Sequence, residues 1–187
     1  MQIATHGILA ASASAVAPSF SNTKSLVFDG VDDFVNMSNV LNLANDGSDA
    51  VSISLWLKTS LVTYDGSQDV SGLNIYVNNT LQTLTVATNN TPNNVSNSGS
   101  FTIGMRNGTA YPYLGTIDEV AVWTSELSAS NVTSIYNSGS PADLTSLSPV
   151  SWWRNGDGDT FPTLTDNGSG SNNGTMTNMT SGDIVTD

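Results

Sequence analysis

The chain has 187 residues, of which 38% are hydrophobic, and this length and composition allow one domain with a sizeable core. Its 16 acidic and 4 basic residues give a net charge of −12, which argues against nucleic-acid binding because an acidic surface repels phosphate. The lack of cysteine excludes a disulfide framework and thiolate zinc sites, and a single histidine, His6, argues against histidine-based triads and multi-histidine metal centres.

Residues 1–24 are predicted to form an N-terminal arm. The stretch from Gly7 to Ala17 is mildly apolar and rich in small residues, but no Lys or Arg precedes it, which argues against a secretion signal. It is also too short and too polar to span a membrane, so we expect no membrane insertion. We expect the arm to become ordered only against a partner subunit.

Three aspartates, Asp29, Asp32 and Asp33, lie between two apolar runs in SLVFDGVDDFV at residues 25–35. One interpretation is a turn, in which Gly30 makes the bend and an aspartate side chain accepts backbone N–H groups. The other is a calcium site, because Ca²⁺ binds carboxylate oxygens, although it takes about six to eight of them. We favour the turn and keep Asp29 and Asp32 as candidate calcium ligands, with no residue assigned to catalysis.

Alternation of apolar and polar residues predicts strands along most of the chain. They are predicted at 51–57, 73–77, 81–87, 101–105, 116–123 and 150–153, with Asn78-Asn79 at the turn of a hairpin. Asp118 and Glu119 are neighbours on one of these strands, so they are expected to point to opposite faces and to form no acid/base couple. One of them is expected to pair with Arg106 or to accept turn amides.

One short helix is predicted after Ser128, which can cap it. Val132, Ile135 and Tyr136 share a face of this helix, and Asn137 is placed to end it. Many short strands joined by turns, with a single helix, predict an all-β fold built as an antiparallel β-sandwich.

Aromatic residues supply the candidate ligand-binding positions. Tyr111 and Tyr113 lie in a turn-rich loop and could contact a ligand such as a sugar ring. Trp56 and Trp123 fall on the faces of their strands opposite the aliphatic residues, which indicates either a partner surface or a second packed layer.

Four segments resemble the concanavalin A-like sandwiches of the laminin-G and pentraxin type. They are SLVFDGVDDFVNM (25–37), VSISLWLKTS (51–60), VTYDGSQDVSGLNIYVNNTLQ (62–82) and the stretch 101–139. The resemblance implies a jelly-roll domain over residues 25–187. Residues 151–187 either wrap around to supply a strand of the same sandwich or begin a truncated second repeat, and we favour the first. The family's middle strands are absent between Ser60 and Leu61, which predicts an exposed sheet edge.

The stretches TKSLVFDGVDDFV, IDEVAVWTSELSASNVTSIYN and SPVSWWRNGDGDTFPTLTDNGS are similar to laminin-G-like structural proteins of marine tailed phages. This resemblance implies a non-enzymatic structural or adhesive virion protein, such as a capsid decoration, head fibre or tail-associated protein. Its partners would be other virion proteins, a host-surface glycan or further copies of itself. The alternative is a calcium-dependent carbohydrate-binding module of a secreted or cell-surface protein. A glycoside hydrolase is disfavoured, because no strand carries close-set acids such as Glu-x-Asp-x-x-Glu.

Overall fold

The computed structural model of the chain describes residues 20–41, 52–58, 74–83, 99–106 and 108–187. Most of the predicted arm and the junction between Ser60 and Leu61 lie outside these residues. The strands are β1 (Lys24–Asp29), β2 (Phe34–Asn36), β3 (Ser52–Lys58), β4 (Tyr76–Val77), β5 (Thr80–Leu81), β6 (Thr102–Ile103), β7 (Leu114–Trp123), β8 (Ser151–Trp153), β9 (Thr163–Leu164), β10 (Gly174–Thr177) and β11 (Ile184–Thr186). Helix α1 spans Ala129–Tyr136, and short 3₁₀ turns lie at Asn137–Gly139, Thr145–Leu147 and Ser181–Asp183. No helix in these ranges has the length and apolar character needed to cross a membrane.

The described strands form two main antiparallel sheets. The first has the order β11-β1-β7-β3, and β8 also pairs with β7. The second has the order β6-β2-β10-β9, and β4 and β5 form a separate hairpin. This arrangement confirms the all-β antiparallel sandwich predicted from the sequence, with one short α-helix in the described part of the chain.

The core lies between the two main sheets. Its buried members are Leu26, Phe28, Val35, Met37, Ile103, Ile117, Val120, Val122, Trp153, Leu164, Met176 and Met179. Trp153 is the largest side chain that is fully buried, and its ring stacks on Phe101 with centroids 5.6 Å apart. Alternate residues of each strand point into this layer, because side chains on a strand alternate between the two faces.

A second apolar layer covers the outer face of the first sheet. Ala121, Trp123 and Trp152 from the sheet pack with Ile135 of α1 and with Leu144. The indole N–H of Trp123 donates to the Leu147 carbonyl at 2.9 Å. Of the two interpretations of Trp56 and Trp123, the structure therefore shows the packed layer. Trp56 stacks on Tyr136 of α1, with ring centroids 6.2 Å apart and an interplanar angle of 8°.

Local sequence signals set the helix and the hairpin. The Ser128 hydroxyl accepts the Asn131 N–H at 3.2 Å, and Asn137 ends α1 in the left-handed region with φ 42°. Asn78 and Asn79 have φ values of 49° and 62°, as a two-residue turn between antiparallel strands requires. Both predictions are confirmed.

Residues 151–187 contribute strands to both main sheets. β8 pairs with β7, β10 pairs with β2, and β11 pairs with β1. The Gly/Asn/Ser/Thr-rich composition of this segment alone is typical of a flexible tail. Buried Asp166 organises it instead, because its carboxylate accepts the N–H groups of Trp152 at 2.7 Å, Gly168 at 2.8 Å and Asn172 at 2.7 Å.

Candidate functional site

A groove of about 500 Å³ runs beside β6 and the start of β7. Its lining includes Leu55, Phe101, Met105, Arg106 and both predicted ligand-binding residues, Tyr111 and Tyr113. The structure therefore brings the two tyrosines to one concave surface, which is the usual shape of a small-molecule site.

Tyr111 and Arg106 form the exposed part of this groove. The Tyr111 side chain is 75% exposed, and the Arg106 guanidinium carbon lies 4.7 Å from its ring centroid. The backbone N–H of Arg106 donates to the Ala110 carbonyl at 2.9 Å, which brings the backbone of Arg106 close to the residue before Tyr111. Because the guanidinium lies over one face of the ring, the other face is the one that can stack on an apolar ligand surface, while the guanidinium can donate hydrogen bonds to ligand oxygens.

Tyr113 has a different environment. Its ring packs edge-on against the core residue Phe28, with centroids 6.3 Å apart and an interplanar angle of 74°. Its hydroxyl lies 3.4 Å from the Thr116 carbonyl, to which it donates. Tyr113 therefore forms a fixed, half-buried wall of the groove, and the exposed stacking surface belongs to Tyr111.

The three aspartates of the opening segment form a tight turn between β1 and β2. The Asp29 carboxylate accepts the Val31 N–H at 2.7 Å, and the Asp33 carboxylate accepts the Asp29 N–H at 3.0 Å. Gly30 takes a φ of 79°, which favours glycine. These contacts are those of the predicted turn, in which aspartate side chains accept backbone amides.

The same turn brings three carboxylates together, since Asp29, Asp32 and Asp33 each offer an oxygen within 4.8 Å of the others. Asp29 and Asp32 are exposed, whereas Asp33 is buried, and burial more than the Asp29 charge raises the pKa of Asp33. Three carboxylates supply fewer than the roughly six to eight oxygens that Ca²⁺ takes. Two of them also accept backbone amides of the turn. Calcium binding by Asp29 and Asp32 stays a prediction.

The acidic turn and the groove lie at the same end of the sandwich. Asp29 is the register partner of Leu114, which directly follows Tyr113. Gly104, which lines the groove, sits against the Phe28 ring and the Asp33 carbonyl. The two sets of predicted residues, far apart in sequence, are therefore neighbours in the fold.

A second acidic cluster, formed by Asp118 and Glu119, differs from the sequence prediction. Asp118 and Glu119 were expected on opposite faces of a strand, and this is wrong. Glu119 has a φ of 49°, and the β3–β7 register shifts there, so β7 contains a bulge. The Asn22 side-chain amide donates to both carboxylates, at 2.8 Å each. Of the two predicted partners, Arg106 is wrong, because it lies at Tyr111 and Arg154 pairs with Glu119 at 3.2 Å. The predicted acceptance of a backbone amide is found, since the Asp118 carboxylate accepts the Glu119 N–H at 2.7 Å.

Burial controls the ionisation of this pair. It raises the pKa of Asp118 to about 7, against hydrogen bonding from Asn22. Burial also raises the pKa of Glu119, although Asn22, the Trp152 indole N–H and Arg154 all favour its charged form. The pair therefore holds a proton more firmly than ordinary carboxyl groups do. A cleft of about 440 Å³ opens beside Asp118 and is bordered by Trp56. The only sequence signal of this cluster is two adjacent acids in an otherwise apolar strand.

Residues 60–133 match a family model described as the concanavalin A-like lectin/glucanases superfamily. The match covers less than half of the chain and includes β4 to β7. Together with the two antiparallel sheets, it confirms the predicted concanavalin A-like β-sandwich. No curated protein and no solved structure matches the chain. The resemblance to phage proteins rests on the sequence segments alone.

Proposed function

We propose that this chain is a non-enzymatic adhesive protein that binds a carbohydrate in the groove beside Tyr111. The observation that carries the proposal is the 75% exposed Tyr111 ring, with the Arg106 guanidinium 4.7 Å from its centroid. An aromatic face and an adjacent hydrogen-bond donor match the two surfaces of a sugar, which has apolar C–H faces and hydroxyl edges.

The groove offers little for catalysis. None of the described residues that line it is an aspartate, glutamate, histidine or cysteine. The groove carries hydroxyl groups, on Ser100, Thr102, Tyr111 and Tyr113, but a hydroxyl nucleophile is weak unless a neighbouring group such as a base activates it. The buried pair of Asp118 and Glu119 borders a different cleft, and its oxygens are engaged by Asn22, Arg154 and Trp152. These features support a binding function for the groove.

A glycan array tests the proposal, with the wild-type chain compared with Tyr111→Ala and Tyr111→Phe. We expect Tyr111→Ala to weaken binding about tenfold, on the order of 1 kcal/mol, because it removes the stacking face. Tyr111→Phe keeps that face and should bind nearly normally. Phe161→Ala, which removes a 37% exposed ring that does not line the groove, is the matched control. Equal binding by wild type and Tyr111→Ala, or no glycan binding at all, would refute the assignment.

Calcium dependence is a separate part of the proposal. If Asp29 and Asp32 hold Ca²⁺ beside the groove, chelation should abolish glycan binding, and the double variant Asp29→Asn/Asp32→Asn should reproduce that loss without chelator. Binding that survives both treatments would leave the groove assignment intact and remove calcium from it.

The setting we propose is a tailed-phage virion, as a capsid decoration, head fibre or tail-associated protein. Its support is the likeness of three sequence stretches to such proteins. Mass spectrometry of particles purified on a density gradient should find the chain in constant ratio to capsid protein. Absence from the particles, with chelation-sensitive glycan binding retained, would favour the alternative of a secreted or cell-surface lectin module.

A further inference from the structure

Residues 20–23, which we call the strap, lie on the outer face of the first sheet. Phe20 stacks on Trp152 with ring centroids 6.1 Å apart, and the Arg154 guanidinium carbon lies 4.5 Å from the centroid of the Phe20 ring. Arg154 also donates to the Ser21 carbonyl. The Thr23 N–H and hydroxyl donate to the Asp157 carboxylate at 2.8 and 2.9 Å. The strap is thus held at both of its ends.

The centre of the strap is held by carboxylates. Asn22 donates through its amide nitrogen to Asp118 and to Glu119, so a single neutral side chain bridges two acids. These acids lie in a gap in the sheet. β1 pairs with β7 up to Ile117, and β8 pairs with the same side of β7 from Val120 onward. Within the described part of the chain no strand pairs with Asp118 and Glu119 on that side, and Asn22 takes the place of one.

The charges around this pair are unbalanced. The charged residues described on the surrounding elements are Arg154 and Asp157 after β8, Asp187 after β11, and Lys24 at the start of β1. Arg154 contacts both Glu119 and Asp157, Asp187 accepts the Ser25 hydroxyl at 2.6 Å, and the Lys24 ammonium lies 3.4 Å from the Thr186 hydroxyl. Neither the strap nor α1 contains a charged residue. Among the described side chains, the positive charge that contacts the Asp118–Glu119 pair is that of Arg154.

We propose that the strap is a pH-sensitive latch, which stays docked while Asp118 and Glu119 share a proton and is released when that proton is lost. Covering by the strap removes water from the pair and disfavours a second negative charge there, while the Asn22 hydrogen bonds favour the charged forms. Burial is the larger of the two effects on both acids, so the docked strap favours the protonated pair. Release of the strap restores that water, so the doubly charged pair favours the released state. Burial raises the pKa of Asp118 to about 7, so docking of the strap weakens as the pH rises through neutrality.

The chain has no cysteine, so Ser21→Cys provides a unique site for a nitroxide spin label on the full chain. Ser21 is exposed, and only its carbonyl is seen to be used by the sheet. Electron paramagnetic resonance between about pH 5 and pH 9 should show an immobile label at low pH and a mobile one at high pH. A label at Ser130→Cys, on the exposed face of α1, should show no such change.

Two substitutions identify the groups responsible. Asp118→Asn, which mimics the protonated acid, should keep the label immobile across the range. Asn22→Asp adds a third carboxylate and should move the transition to lower pH. Because Asn22 lies outside the strands, this variant still tests the proposal if Asp118→Asn fails to fold. The proposal is overturned if label mobility does not depend on pH, if the transition is unchanged in folded Asp118→Asn, or if Asn22→Asp does not shift it.

Discussion

Gly104 allows β6 to approach β1 closely, and replacing it with alanine should be costly for two separable reasons. Its φ is 90°, a conformation that L-residues rarely adopt. A Cβ atom there would also lie 2.3 Å from Cε1 of Phe28 and 3.2 Å from the Asp33 carbonyl. Phe28 is fully buried in the core between the sheets, so its ring has little room to move away.

The two costs can be estimated separately. Left-handed backbone conformation costs about 1–2 kcal/mol for an L-residue, and forcing an extra carbon into a packed core costs about 1–3 kcal/mol more. Gly104→Ala should therefore lower the free energy of unfolding by about 2–5 kcal/mol. Gly158→Ala is the matched control, because Gly158 has a φ of 84° but no atom within 4 Å of an added Cβ. Gly158→Ala should lose only the free energy that the left-handed backbone conformation costs.

Urea unfolding followed by tryptophan fluorescence measures both variants at one pH. The informative quantity is the difference between them, expected to be about 1–3 kcal/mol, because the backbone strain is common to both. If Gly104→Ala were no less stable than Gly158→Ala, Phe28 would have to yield to the added methyl group. The description of Gly104 as a close contact of the core would then be wrong.

Three further predictions concern other parts of the structure and use the same unfolding assay. The pKa of Asp118, raised from 3.8 to about 7, favours its protonation in the folded state, so this contribution to stability is lost as the pH rises from about 4 to about 7. Wild-type stability should fall over that range, and Asp118→Asn should reduce the fall by about 1–3 kcal/mol. Asp143→Asn, at an exposed acid with a lowered pKa, should not reduce it. Asp166→Ala should cost about 2–4 kcal/mol, because it leaves buried amides such as that of Trp152 without an acceptor, and a loss below about 1 kcal/mol would contradict this. Ser128→Ala should cost about 1 kcal/mol through the lost cap, and Ser128→Asp should restore most of it.

Features set by neighbouring residues were predictable from the sequence. The Asn78-Asn79 hairpin and the Ser128 cap depend on backbone preferences and on side chains a few residues away. The sandwich itself followed from strand periodicity and turn spacing, because alternation reports which faces are buried. The grouping of Tyr111 with Asp29 was not predicted, because it depends on which strands pair.

The errors arise where distant partners decide the geometry. Simple alternation along β7 places Asp118 and Glu119 on opposite faces. The bulge brings them together, because β7 has one residue more than β3 between the pairs Ser54–Ala121 and Trp56–Asp118. Their partners, Asn22 and Arg154, lie 97 and 35 residues from Glu119 in sequence. No local pattern reports such contacts, so the carboxylate cluster could only be found in the fold.

The pairing of β1 with β11 also constrains the synthesis of this protein. Lys24 and Thr186 are register partners although 162 residues separate them. At about 5–20 residues per second, a ribosome adds that intervening stretch in roughly 10–30 s. Throughout that interval one edge of β1, with the apolar Leu26 and Phe28, lacks its final neighbour. The nascent chain must therefore avoid edge-to-edge association while it waits, and mutual repulsion from its net charge of −12 acts in that direction.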